Sequence, residues 1–321
     1  MMEIKTRKQL DARAWKELIA RSSQGSFYHN LEWIDACCQG MRGYQAFFIV
    51  LPDSLGNYQA GLPWVRCKRY GLSKHFSMPF GTYGGILAVP GTDTERLDAL
   101  ASFALIKIWG PLSVEQNIVC YNGMTDWRTH GFQPAKLTTH VVAMEEYANN
   151  PAHLHKRGAV QARAQGLEIR DLSGGGAIAD CYRLIEARDR RIGQLTRYPA
   201  SLYHSIYKNI GPAGNLWWRM AFKDGQLLGF ALSFIHKEEA YYWEGVTLRE
   251  GEGLRPADAL FTDLFTMALG RGLKRVNLGG SPQGAEGLVR YKEAWGASPV
   301  EYLSYVRITP WFNRLRELGR R

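Results

Sequence analysis

The sequence lacks what marks a covalent, metal-dependent or nucleotide-cleaving enzyme. Its five cysteines form no disulfide or ligand spacing: Cys37 and Cys38 are adjacent, while Cys67, Cys120 and Cys181 stand alone. An odd, scattered set suits a reducing compartment and buried thiols. There is no Gly-x-Ser-x-Gly elbow, no Walker loop and no Rossmann glycine fingerprint. His153-x-His155 is the only close histidine pair, without the His-x-x-x-His and glutamate of a zinc helix, so no metal site is expected. No apolar run approaches the roughly 18 residues of a membrane span. Met1 to Trp15 is charged throughout and does not read as a secretory signal. A soluble cytoplasmic protein is the expectation. No dense Lys/Arg block appears either, although the net charge is +10 and the pI about 9.4. That excess fits phosphate-rich partners such as tRNA, a nucleotide sugar, CoA or an anionic membrane surface, and it equally fits a merely basic enzyme.

What is present is a chain of 321 residues, 45% hydrophobic, long enough for two domains. Its most informative stretch runs from Ala240 to Tyr305. The apolar run Ala240-Tyr-Tyr-Trp-Glu-Gly-Val246 predicts a strand, followed by a loop with Gly251, Gly253 and Pro256. Ala257, Leu260, Phe261, Leu264, Phe265 and Ala268 then form one face of a 3.6-period helix. Pro256 suits its first turn, and Gly270 or Gly272 its end. Leu273, Val276 and Leu278 predict a short strand ending in Gly279-Gly280-Ser281-Pro282. Arg290 to Ala297 leads into a last strand over 300–306.

The same order occurs earlier in the chain. The helix face Leu97, Leu100, Ala101, Ala104, Leu105, Ile108 matches Ala257–Ala268, every position differing by 160. Tyr83-Gly84-Gly85 aligns with Trp243-Glu244-Gly245 at that spacing, and Asn117 with Asn277. Hairpins precede both copies, over 46–65 and 217–234, the second turning at Asp224-Gly225. A repeat of this length implies two copies of one α/β domain. The polar stretch Glu145 to Pro151 places the division there, giving domains at 1–150 and 151–303 and a short basic tail at 304–321.

Several segments offer candidate side chains. Trp15, Leu18 and Ile19 lie on the apolar face of a first helix, and Phe27 to Trp33 opens a second. Cys67 to His75 is a basic loop carrying Tyr70, and Pro79 to Ile86 sets glycines around Phe80 and Tyr83. Such glycines let a ligand approach the backbone, or mark ordinary bends. Ala152 to Gly166 predicts a basic helix with Lys156, Arg157 and Arg163. A further helix, Cys181 to Ile192, ends in Arg188, Arg190 and Arg191, and 193–203 reads as a loop. Those arginines could fork onto phosphates or carboxylates, or form a solvated face with Glu186 and Asp189.

Three segments carry a family resemblance: Tyr242-Trp243-Glu244-Gly245, Asn277-Leu278-Gly279-Gly280, and Tyr291-Lys292-x-x-Trp295-Gly296. With them the chain resembles the Fem-type branch of the GNAT acyltransferases, which includes aminoacyl-tRNA-dependent ligases of peptidoglycan precursors. The resemblance implies tandem GNAT-like domains with mixed sheets and flanking helices, and N-acyl transfer. It implies that the Phe27–Trp33 segment helps build an acceptor cleft, that an arginine-rich helix joins the halves, and that the tail folds back on the first domain. It assigns to Lys292 the lysine that stabilises the donor's transition state. The alternative for Lys292 is a snorkelling side chain paired with Glu293 or Glu301. One departure is the absence of a long charged helical arm, which weakens the case for an identical mode of tRNA binding.

N-acyl transfer fits the missing motifs. A neutral amine is already a nucleophile and the donor carbonyl is already activated. The protein must supply proximity, a path for the amine proton and stabilisation of the tetrahedral oxyanion. In GNAT folds a splayed strand pair offers backbone N–H groups to the donor, and Gly245 and Gly279-Gly280 stand where that opening is expected. The predicted catalytic residues are Lys292 and Glu244, the latter accepting the amine proton or pairing with an arginine. Trp33, Tyr70, Tyr83, Arg188, Arg190, Arg191, Tyr242, Trp243 and Tyr291 are the candidate substrate-binding residues; Trp33 reads equally as a core residue. CoA-dependent relatives bind pyrophosphate on a glycine-rich loop at a helix N-terminus. Here that place reads Gly251-Glu-Gly-Leu-Arg-Pro-Ala257, with proline replacing a glycine and Glu252 adding negative charge. No tightly bound cofactor is expected, and aminoacyl-tRNA or acyl-CoA is the candidate donor. The expected acceptor is a small-molecule or lipid-linked amine of a cell-envelope, peptidoglycan or polysaccharide precursor, with tRNA and the inner membrane surface as further candidate partners. The alternatives are an acyl-CoA or acyl-carrier-protein enzyme acting on a sugar or amino acid, and a non-catalytic binding scaffold.

Overall fold

The computed structural model describes residues 1–121, 123, 125–149, 153–248 and 253–318, with the backbone alone for 153–157. Strands and helices follow in the order β1 (Glu3–Thr6), α1 (Ala12–Arg21), α2 (Leu31–Gly40), β2 (Tyr44–Pro52), β3 (Tyr58–Arg69), β4 (Leu72–Phe76), β5 (Leu87–Ala88), α3 (Thr94–Ile108) and β6 (Ser113–Cys120). Next come β7 (Gln133–Ala143), α4 (Met144–Asn149), α5 (His153–Ala164), β8 (Glu168–Asp171), α6 (Gly175–Arg191), α7 (Ala200–Ile210), β9 (Leu216–Lys223), β10 (Gln226–His236) and β11 (Glu239–Thr247). The chain ends with α8 (Pro256–Gly270), β12 (Arg275–Gly280), α9 (Glu286–Glu293), β13 (Ala297–Ile308) and α10 (Pro310–Leu318).

These elements fall into two compact units, Met1–Leu137 with Glu301–Arg321, and Thr138–Val300. The divisions thus lie at 137/138 and 300/301, where the sequence places them at 150/151, in the polar stretch 145–151, and at 303/304, before the basic tail. The ladders explain the shift. Val141 to Ala143 pair with β12, and Leu303 to Ile308 pair with β6, so each segment is held by a strand distant in sequence. Asn150 and Pro151, in the expected linker, lie outside the described residues.

In the first unit β1, β2, β3 and β4 are successively antiparallel, β4 and β6 are parallel, and β6 and β13 are antiparallel. The parallel step needs a crossover, and α3 supplies it. Asp93 caps α3 by accepting from the Glu95 N–H, and Leu97, Leu100, Ala101, Ala104 and Leu105 face the core as their spacing predicts. The β2–β3 turn is held by Asp53, whose Oδ1 accepts from the backbone of Leu55 and Asn57.

The second unit repeats the plan. The strands β8 to β11 are successively antiparallel, β11 and β12 are parallel across the α8 crossover, and β12 pairs antiparallel with β7. Pro256 stands in the first turn of α8, which buries Phe261, Leu264, Phe265 and Ala268 against Val276, Leu278 and Trp295, and Leu260 against Ala162, Leu167 and Ala221. In both units the parallel pairing reaches an asparagine, Phe76 opposite Asn117 and Tyr241 opposite Asn277. The asparagines therefore correspond as their spacing predicts. Tyr83-Gly84-Gly85 does not match Trp243-Glu244-Gly245: the latter lie on β11, the former in the irregular segment after β4. The segment read as a loop to Tyr203 contains the start of α7, which buries Leu202, Tyr203, Ile206 and Ile210.

Candidate functional site

The strands β11 and β12 are paired at Glu239–Arg275, Ala240–Val276 and Tyr241–Asn277. Beyond that point β11 continues to Thr247 along β10, while Gly280 of β12 pairs with Thr139 of β7. The two parallel strands thus part after Tyr241 and Asn277. At the parting, Leu232 opposes Glu244 and Ser233 opposes Tyr242, so Trp243 is the extra residue of a bulge. The Tyr242 hydroxyl lies against Gly245 where a Cβ would stand, which explains the glycine. Gly279 adopts φ +72°, with its N–H on Asn277 Oδ1 at 2.9 Å, and Thr139 Oγ1 donates to the same oxygen at 2.7 Å. The expected opening at Gly245 and Gly279-Gly280 is therefore built into the strands.

The first unit treats its equivalent position differently. After Phe76, the Ser77 N–H donates to the Asn117 carbonyl at 2.9 Å, and Ser77 Oγ accepts from the Val119 N–H at 3.3 Å. The Gly84 N–H then returns to the Val119 carbonyl at 2.7 Å. That gap is filled by the chain itself.

Lys292, on α9, sits beside the second unit's opening and is only 3% exposed. Its ammonium donates to the carbonyls of Gly279 (2.7 Å) and Gly280 (2.9 Å) and to Ser281 Oγ (3.1 Å). Burial lowers its pKa from the ordinary lysine value to about 8. The expected alternative partner Glu301 is paired instead with Lys136, at 3.2 Å. Next to Lys292, the Tyr291 hydroxyl donates to Asp258 Oδ1 at 3.0 Å. Burial first, then the Asp258 charge, raise the pKa of that phenol.

Glu244 is held by Arg188, whose Nη1 donates to Oε1 at 2.8 Å, and by the Tyr203 hydroxyl at 3.4 Å from Oε2. Arg188 Nε also donates to Asp189 Oδ1 at 2.8 Å. Burial disfavours the guanidinium charge, but Glu244 and Asp189 outweigh it and the Arg188 pKa is raised. Trp243 stacks on Tyr198, with centroids 5.6 Å apart, and tilts against Tyr203 and Phe234. Aromatic rings therefore wall an ion pair at the bulge.

The N-terminus of α8 is occupied by its own side chains. Arg255, at φ +54°, pairs through Nε with Asp258 Oδ2 at 2.7 Å, and Asp258 is 4% exposed. Gly158 of α5 packs directly on this pair: a Cβ there would lie 2.8 Å from Arg255 Cζ and closer still to the Asp258 carboxylate. A carboxylate in the first turn takes the electrostatic place that an anionic ligand would use. Gly251 and Glu252 of the preceding loop lie outside the described residues.

The structure thus gathers Tyr242, Trp243, Glu244, Arg188, Tyr291 and Lys292 around the parting strands and the turn beside them. Arg190 and Arg191 lie on the exposed side of α6. The other candidates belong to the first unit. Trp33 has no exposed surface and packs on Phe27, Tyr28 and Phe80, as a core residue would. Tyr83 is buried and stacked on Tyr121, with centroids 4.6 Å apart. Tyr70 is 88% exposed in the β3–β4 turn, where it and Gly71 both take positive φ. The side chains of His153, His155, Lys156 and Arg157 lie outside the described residues.

Sequence reasoning missed Tyr203, Asp258 and His140. The first two meet Glu244 and Tyr291 only through the fold. His140 of β7 is buried, and burial together with the Lys292 charge lowers its pKa. Its Nδ1 has no partner among the described residues. A lone histidine in a strand gives no signal of this. Among the described residues, no group of three His, Cys, Asp or Glu side chains could hold a metal, and no helix is long and apolar enough to cross a membrane.

Residues 154–293 match the acetyltransferase (GNAT) domain family. The chain is similar to the solved structure of FemX, with 14% identity and a TM-score of 0.75 over 98% of this chain and 99% of that one. It is similar to a tandem GNAT protein from the clavulanic acid biosynthesis pathway, at 12% identity and TM-score 0.63, covering 96% and 98%. It is also similar to the C-terminal domain of a putative lysylphosphatidylglycerol synthetase from Agrobacterium fabrum, at 13% and 0.59, covering 93% and 92%. Searched by sequence against curated proteins, it has no match. The fold is that of tandem GNAT proteins, shared with FemX, and the matched GNAT segment contains Arg188, Glu244 and all of α8 and α9.

Proposed function

We propose that this chain is an N-acyltransferase of the Fem type, moving an aminoacyl or acyl group from an activated donor to the amine of a cell-envelope or polysaccharide precursor. The observation that carries the reading is the parting of β11 and β12 beside the Glu244–Arg188 pair, in the unit where no backbone hydrogen bond among the described residues closes the gap as those of Ser77 and Gly84 do in the other.

The donor carbonyl would lie along the parted backbone, where N–H groups meet the oxygen that becomes the oxyanion. The amine attacks that carbon; the C–N bond forms as the donor's oxygen or sulfur leaves, and the amine gives up a proton. Glu244 keeps acceptor capacity beyond its bonds to Arg188 and Tyr203, so it can hold the amine N–H. Trp243, Tyr198 and Tyr203 keep water from the reacting atoms. Lys292 acts as a positioning residue in this scheme. Its three bonds fix Gly279 to Ser281, so its charge reaches the donor through the backbone that it orients.

The donor favoured is aminoacyl-tRNA, because Asp258 and Arg255 fill the helix terminus that a CoA pyrophosphate would need. Filter binding of aminoacyl-tRNA at two salt concentrations tests this. Many phosphate contacts make affinity fall by orders of magnitude between about 50 and 200 mM salt, whereas CoA, with few phosphates, gives a shallow dependence. Absence of tRNA binding at low salt, together with turnover on acetyl-CoA, would overturn the donor assignment. Absence of transfer from either donor to any amine would remove the enzyme reading.

A further inference from the structure

One end of the first unit carries exposed apolar and basic side chains that the transfer chemistry leaves unused. The helix α10 is tied down on one face: the Lys74 ammonium lies 5.7 Å from the Phe312 ring centroid, and Arg316 approaches Glu115 at 3.8 Å. On another face Trp311, Leu315 and Leu318 recur at i, i+4 and i+7, and they are 45%, 57% and 67% exposed. The ladders bring more of the same to this end. Ile308 opposes Glu115, which opposes Lys74. Ser73 takes the Leu112 carbonyl at 2.9 Å, and Arg69 opposite Leu72 closes the β3–β4 hairpin. Exposed Leu112 and Tyr70 therefore stand near the root of α10, with Lys68 and Arg69 beside them.

We propose that this end docks on an anionic lipid bilayer, α10 lying in the interface plane. Charge complementarity selects the occupant. Lys68, Arg69 and Arg314 are exposed at this end, and the whole chain carries +10. Of the acidic groups here, Glu115 is bonded by Lys74 and approached by Arg316, while Glu317 on α10 accepts from Asn313. A basic helix with one apolar face containing tryptophan is the form that settles into headgroups. Three aliphatic or indole side chains in a row suit lipid tails better than a nucleic-acid backbone. The hairpin repeats the pattern with Tyr70, over whose ring the Arg69 guanidinium lies at 5.1 Å.

The test is flotation of the full chain with vesicles of phosphatidylcholine alone and vesicles with roughly equal phosphatidylglycerol, at about 100 mM salt. The protein should float with the anionic vesicles and stay behind with the neutral ones. Replacing Trp311, Leu315 and Leu318 together with serine should weaken binding about tenfold or more, and the pair Lys68→Gln and Arg69→Gln should weaken it too. Those residues are exposed, so circular dichroism should show parental melting; if the triple variant melts early, the hairpin pair carries the test alone. Failure to float with anionic vesicles overturns the proposal. So does flotation unchanged in both variants. A triple variant that loses self-association or tRNA binding while vesicle binding persists assigns the face to a second copy or to RNA.

Discussion

The Lys292 ammonium donates to the Gly279 carbonyl at 2.7 Å, and it spends its other two N–H groups on Gly280 and Ser281. An ammonium so occupied is an anchor for the end of β12. Lys292→Met should leave buried acceptors without their donor, costing about 1–3 kcal/mol in a denaturation experiment. It should also lower turnover by about 10², the scale of losing a preorganised oxyanion site. The pH profile separates the anchor from a merely structural lysine. With a pKa lowered to about 8 by burial, the ammonium is lost as pH rises through 8, and activity should fall there. The fold should not weaken over that range on this group's account. The unfolded chain keeps the lysine proton to about 10.4, so above pH 8 the native state binds fewer protons, and this term favours folding as pH rises. Lys292→Arg, charged at every accessible pH, should lose the alkaline limb; a limb near pH 8 in that variant would show that another group titrates.

The elements that sequence made legible are those whose signal is local. The faces of α3 and α8 follow from a 3.6-residue period, and the turns at Asp53 and Asp224-Gly225 from turn chemistry. Gly245 and Gly279-Gly280 could be placed at an opening because the family resemblance implies a splayed strand pair there. What sequence could not supply is partner choice over distance. Arg188 and Glu244 are 56 residues apart, and pairing with an arginine stood as only one of two readings for Glu244. β13 pairs with β6, far earlier in the chain, and no local pattern encodes that choice. Trp33 and Tyr83 read as core or cleft residues because aromatic side chains serve both, and the structure buries the two. Tyr70 stands out in a basic loop, and only the positive φ shows that it is a hairpin turn.

Gly158 tests how tightly the α8 terminus is filled. In an exposed helix interior, glycine to alanine stabilises by about 1 kcal/mol through helix propensity. At Gly158 the added methyl would meet the Arg255 guanidinium carbon at 2.8 Å and press on the Asp258 carboxylate, both held in their ion pair. Overpacking a constrained site costs about 1–3 kcal/mol, which exceeds the propensity gain. Gly158→Ala should therefore lower the melting temperature. Equal or higher stability would mean that Arg255 and Asp258 yield easily, and a phosphate could then displace them from the helix end.

His75 predicts how the first unit responds to acid. The Trp64 indole N–H donates to His75 Nδ1 at 3.0 Å, which requires that nitrogen to be unprotonated, and Nε2 is bonded to Ser113 Oγ at 2.8 Å. Burial, with the nearby Arg66 charge, lowers its pKa to about 4. The unfolded chain takes up this proton near pH 6.5, whereas the native state refuses it until about 4. Between those values the unfolded state binds more protons, so stability rises with pH and is lost as pH falls through the window. The loss approaches 1.4 kcal/mol per pH unit, roughly 3 kcal/mol over the full span. His236 of the second unit, also lowered to about 4 by burial, gives a similar loss there. His75→Gln cannot charge, so its disadvantage against the parent should be largest at pH 7 and shrink toward pH 4.5 in urea titrations. A gap between the two proteins that stays constant over that range would show that His75 accepts its proton in the folded state, and that the Trp64 hydrogen bond does not hold it neutral.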